Sequence, residues 1–79
     1  MIDTTERTVQ IARVRALVRS GAAEKIRVAS GLSKSEVARA VGVYPSTVFR
    51  WESGSRVPRG ERAVRYLQLL ERLLGRENR

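Results

Sequence analysis

Seventy-nine residues without a single cysteine or histidine exclude a disulfide framework, thiolate or imidazole metal ligation, and the usual nucleophile–base pairs of covalent catalysis. No paired carboxylates stand in a recognisable arrangement either, so the chain is read as a non-enzyme that needs no cofactor or metal. Sixteen Lys and Arg against eight Asp and Glu give a formal net charge of +8, which favours a polyanionic partner, nucleic acid or an anionic membrane.

No period-two alternation persists, and helical spacings dominate from the start. Asp3 and Glu6 form a helix-start signal, after which helix runs to about Arg19 with Ile11, Val14 and Val18 on its apolar face. Arg13, Arg15 and Arg19 are distributed around the rest of that surface, open to DNA, a partner or water. Gly21 interrupts, and "AAEKIRVAS" puts Ala22, Ile26 and Ala29 on one side, in phase with the first stripe. One long helix bent at Ser20–Gly21 and two separate helices both fit this pattern.

Gly31 ends that segment, and Ser33 with Glu36 forms a capping box opening a short helix from Lys34 to Val41, with Val37, Ala38 and Val41 inward. Gly42 stops it. Pro45 falls where a first helical residue needs no N–H, and the third short helix runs to about Ser53, with Gly54 as terminator. "GSRVPRG" is a loop. A last helix from about Glu61 to Leu74 carries Ala63, Leu67, Leu70 and Leu74 at spacings of four, three and four. The expected architecture is all-α, a compact bundle of about five helices, with residues 1–21 as an N-terminal helical extension, 22–75 as the main domain and 76–79 as a charged tail. The N-terminus lacks the apolar run of a secretion signal and no stretch reaches membrane-spanning length, so a cytoplasmic location is expected.

Two short helices joined by "VGVY" make a helix–turn–helix pattern. Small Ala38 permits close approach, while Val43 and Val48 plug the angle between the helices. A plain αα-hairpin without a partner has the same spacing. At 100° per residue, Val48 and Trp51 face one side of the second helix of the pair, with Thr47 at the edge. Ser46, Phe49, Arg50 and Ser53 face the other. A hydroxyl, a ring and a guanidinium on one exposed face suit a major groove, where Arg clamps guanine O6 and N7 and an apolar ring meets a thymine methyl. For Phe49, contact with a partner subunit competes with that reading. Arg56 and Arg59 flank Pro58 in the next loop, where they would lie on phosphates and position rather than specify.

The run "GLSKSEVARAVGVYPSTVFRWESGSRVP" resembles the Cro and lambda-repressor type helix–turn–helix family. It carries Gly31-Leu32-Ser33, Glu36-Val37-Ala38, Gly42-Val43, Ser46-Thr47-Val48, Trp51-Glu52-Ser53-Gly54 and Pro58, and the resemblance covers roughly residues 22–74. It implies a lambda-repressor-like domain that binds double-stranded DNA as a transcriptional regulator, with the helix from Pro45 to Ser53 in the major groove. By position it implies phosphate contacts from Ser33 and Lys34 and an Arg27–Glu52 ion pair between the first and third helices of the motif. Tyr44 and Thr47 join Arg56 and Arg59 as phosphate candidates. Pro45 opens the recognition helix without an N–H or a hydrogen-bonding side chain, which weakens base reading from that position.

Two half-sites and a two-fold dimer give such proteins their specificity, so a homodimer is expected at least on DNA. Tyr66, Leu69 and Leu73 on the last helix are its candidate contacts, and the N-terminal helix is the other possible surface. The core is expected from Val37, Ala38, Val41, Val48, Trp51, Leu67 and Leu70. An alternative function is an antitoxin or other protein-interaction module that uses the same domain, with a small protein partner. A membrane role ranks below both, because residues 4–20 hold no Trp or Phe anchor.

Overall fold

The computed structural model describes residues 4–75. Its five helices are α1 (Thr4–Arg19), α2 (Ala22–Ala29), α3 (Lys34–Val41), α4 (Pro45–Ser53) and α5 (Gly60–Leu73), with no strand among the described residues. Asp3, expected in the helix-start signal, and the charged tail 76–79 lie outside the described residues.

Residues 4–29 form two helices. The α1 ladder continues to the Ser20 N–H, which donates to the Ala16 carbonyl at 3.0 Å, but Gly21 turns left-handed at φ 87°. A residue with Cβ pays for that conformation, so the chain breaks where glycine allows it. The phase of α2 is also one residue from the expected one. Ala23 and Arg27 are buried, whereas Ala22 and Ile26 are half-buried and Ala29 is exposed. Pattern reading sends a charged residue to solvent. Here Arg27 finds a partner inside, and the helix rotates to present it.

α3 starts on the expected capping box. The Ser33 hydroxyl accepts from the Glu36 N–H at 3.0 Å, and the Ser33 N–H donates to Glu36 Oε1 at 2.8 Å. It ends at Gly42, φ 89°, whose N–H returns to the Ala38 carbonyl at 2.8 Å. A Cβ at Gly42 would stand 3.2 Å from Arg65 Nη1, the end of a flexible side chain that can give way, so the left-handed conformation is what selects glycine at this turn. α4 follows from Pro45 in its first turn and packs on α3.

The seven residues expected in the core are each no more than 3% exposed. α5 runs through the middle of that core, meeting α1, α2 and α3. Its buried stripe is Ala63, Val64, Tyr66, Leu67 and Leu70. Leu74, expected to extend the stripe, caps the helix and is 44% exposed, because the stripe has run past the last helix that covers it. Tyr66, expected as a dimer contact, is instead 1% exposed and stacks on Trp51 with ring centroids 4.7 Å apart. Such a stack adds about 1 kcal/mol beyond the area it buries.

α1 lies along α5. Val14 is fully buried in the shared core, and the arginines around it reach across. Arg7 Nη1 donates to Glu61 at 3.0 Å, Arg13 Nη1 to Glu71 at 3.2 Å, and Arg15 Nε to the Pro58 carbonyl at 2.9 Å. Exposed pairs of this kind contribute at most about 1 kcal/mol each; they set the register of α1 on α5, and Val14 supplies the burial.

Candidate nucleic-acid interface

α4 is held from behind and bare in front. Val48 and Trp51 are buried at 0% and 3% exposure. At the C-terminal end of α4, the Glu52 carboxylate is gripped by Arg27, with Arg27 Nε–Oε2 at 2.6 Å and Nη2–Oε1 at 3.0 Å. Arg27 Nη1 also donates to the Leu32 carbonyl at 2.9 Å, so one guanidinium ties α2, the α2–α3 connection and α4 together. That hydrogen-bonded carboxylate raises the Arg27 pKa above its ordinary value and keeps the group charged.

On the opposite side, Ser46, Phe49, Arg50 and Ser53 are all exposed, Phe49 at 57%. Among the described residues no acid pairs with Arg50. Its carbonyl takes the N–H groups of Ser55 and Arg56 at 3.0 and 3.2 Å, which closes the end of α4. Lys34 Nζ sits 6.0 Å from the Phe49 ring centroid, at the outer limit of a cation–π contact. Lys34 therefore borders the exposed face of α4 on its Phe49 flank.

Tyr44, Thr47, Arg56 and Arg59 converge on the other flank, where they line one groove of about 700 Å³ between α4, the loop after it and α5. Tyr44 is 79% exposed and Thr47 half-buried. The same groove is lined by Arg62 from the first turn of α5, a residue that the expected site did not include. Its signal was present in the three-residue spacing of Arg56, Arg59 and Arg62. Leu69 and Leu73, the remaining dimer candidates, are half-buried, with Leu69 packed on the core.

A helix pair braced by a buried ion pair, with one face of α4 bare, beside a groove lined by three arginines, is the arrangement of a helix–turn–helix domain. The family model described as helix-turn-helix matches residues 24–75, and the chain belongs to that family, in its Cro and lambda-repressor type. It is a DNA-binding regulator in the general sense that the family carries. No curated protein and no solved structure gives a significant match. No described helix is long and apolar enough to cross a membrane.

Proposed function

We propose that this protein is a sequence-specific repressor of transcription that lays α4 in the major groove of an operator and blocks it by occupancy. The observation that carries this reading is the two-sidedness of α4: Val48 and Trp51 locked inside, Ser46, Phe49 and Arg50 bare outside. Arg50 reads guanine, Phe49 meets a thymine methyl, and Ser46 adds a short hydroxyl contact. Ser33, Lys34, Tyr44, Thr47, Arg56 and Arg59 hold phosphates and set the register.

Residues 22–75 are the DNA-binding unit in this reading, and the helix before them braces it through α5. The protein is not an enzyme, works in the cytoplasm on the nucleoid, and binds as a homodimer on two half-sites. The half-buried Leu73 and exposed Leu74 at the end of α5 support that end of the helix as the dimer contact. Selection of bound sequences from a pool of random duplexes tests the reading. A palindromic consensus with half-sites about one helical turn apart is expected. Recovery of unenriched sequence would reject it.

A further inference from the structure

We infer that the outer face of α4 reads the C5 methyl group of a pyrimidine rather than the identity of the base. On that chemistry 5-methylcytosine serves in place of thymine, and cytosine methylation of DNA creates sites for the protein. This rests on the reading of α4 in the major groove. The exposed residues of α4 are Pro45, Ser46, Phe49, Arg50 and Ser53. In that groove adenine is singled out by an amide side chain on N6 and N7, and cytosine by a carboxylate on its N4 amino group. The face holds no Asn or Gln to select adenine. It offers no carboxylate to cytosine, because the Glu52 side chain is 3% exposed and both its oxygens are taken by Arg27. Serine hydroxyls both donate and accept, so they do not separate the bases. What remains is an arginine that selects guanine and a ring that selects a methyl group.

Phe49 suits that second task. Its ring carries no polar atom, and the residue is 57% exposed while Val48 before it is fully buried. Lys34 Nζ stands 6.0 Å from the ring centroid, so a cation from α3 borders the ring on one side and more than half of the residue stays open. Phe49 and Arg50 follow one another, about 1.5 Å apart along the axis and about 100° apart around it. A helix in the groove therefore sets them on neighbouring base pairs, and the step they select is a methyl-bearing pyrimidine beside a guanine. In unmodified DNA only thymine carries that methyl group. In methylated DNA 5-methylcytosine carries it on the same ring atom, and its partner changes from adenine to guanine, each with an N7 acceptor.

The test begins with selection of duplexes bound by the full chain from a random pool, followed by anisotropy titration of the selected duplex. Each thymine is replaced in turn by deoxyuridine, which lacks only the methyl group. At the thymine that responds, the T·A pair is then replaced by C·G and by 5-methyl-C·G. One thymine per half-site should lose about fourfold in affinity as uracil, the worth of one buried methyl group. C·G should lose at least as much, and 5-methyl-C·G should return close to the thymine value. Phe49→Ala should bind the uracil and thymine duplexes alike, and Phe49→Leu should restore part of the difference. Circular dichroism checks the fold of both variants. A selected duplex with no uracil-sensitive thymine overturns the inference, as does a 5-methyl-C·G site that binds no better than C·G. An equal loss on all four duplexes in Phe49→Ala, with the methyl preference intact, overturns it in favour of a subunit contact for the ring. A consensus without methyl sensitivity brings down this inference alone. If the pool yields no consensus and the wild type binds no duplex, the DNA reading falls with it.

Discussion

Arg27 and Glu52 meet twenty-five residues apart in sequence, through two hydrogen bonds of 2.6 and 3.0 Å, with side chains only 10% and 3% exposed. The pair fixes the end of α4 against α2, and it does so with charges largely withdrawn from water.

Removing either partner strands the other. Arg27→Ala or Glu52→Ala should each cost about 3–5 kcal/mol in urea unfolding. The joint replacement Arg27→Met with Glu52→Leu should cost less than either single change, because no charge is left buried alone. Additive losses in that cycle would show that the two groups are not coupled.

Tyr66 presents the opposite case. Its hydroxyl is buried without a hydrogen-bond partner, and burial, followed by the nearby Glu52 charge, pushes its pKa well above the ordinary value of 10.0. Tyr66→Phe keeps the stack on Trp51 and removes the unsatisfied hydroxyl, so stability should hold or rise by about 1 kcal/mol. The wild type should also lose stability as pH climbs past about 10, where the unfolded chain ionises Tyr66 and the folded chain resists. The variant should lose less over that range. A loss of stability in Tyr66→Phe at neutral pH would mean that the hydroxyl is satisfied after all.

At the start of α3 the sign reverses. The Ser33 N–H and then its hydroxyl hold the Glu36 carboxyl below the usual carboxylate range. The contribution of the carboxylate is complete above its unfolded value of about 4.3 and fades as pH falls through the lower folded value. Glu36→Gln should therefore flatten the acid limb of the stability profile below that pH. Ser33→Ala should cost about 1 kcal/mol at neutral pH through the lost cap. Both are read from urea midpoints across pH.

DNA binding should separate two classes of arginine. Arg50→Ala should lose about 1–3 kcal/mol of discrimination at one base pair and little on random duplex. Arg56→Ala should weaken every sequence alike and reduce the salt slope by about 1. Competition binding at several salt concentrations measures both. A preserved specificity ratio in Arg50→Ala would remove α4's outer face from base reading.

Local chemistry made the centre of the fold legible. A capping box at Ser33, the glycine after Val41 and a proline at position 45 mark α3 and α4 at their observed bounds. The phase of α4, read at 100° per residue, puts Ser46, Phe49 and Arg50 outside, and they are exposed. The phase of α2 and the place of Tyr66 are misread for one reason, although the resemblance does imply the Arg27–Glu52 pair. Arg27 and Tyr66 carry polar groups, which pattern reading assigns to the surface, yet tertiary partners hold both inside. The groove was hidden for another reason. Tyr44, Thr47 and Arg62 come from different elements and become neighbours only when α5 folds back beside the turn. Nor does any local signal set α1 along α5.

That last pairing governs how the molecule comes into being. Arg7 meets Glu61 and Arg13 meets Glu71, separations of 54 and 58 residues, while α3 and α4 adjoin in sequence and pack directly. Closing the larger loop costs entropy that its contacts repay only once both ends are present. During synthesis the helix–turn–helix pair can therefore form early, but the α1–α5 part of the core has to wait until α5 has emerged. On this account the domain should close last at its two ends, and a nascent chain stopped short of α5 should hold α4 with no finished core behind it.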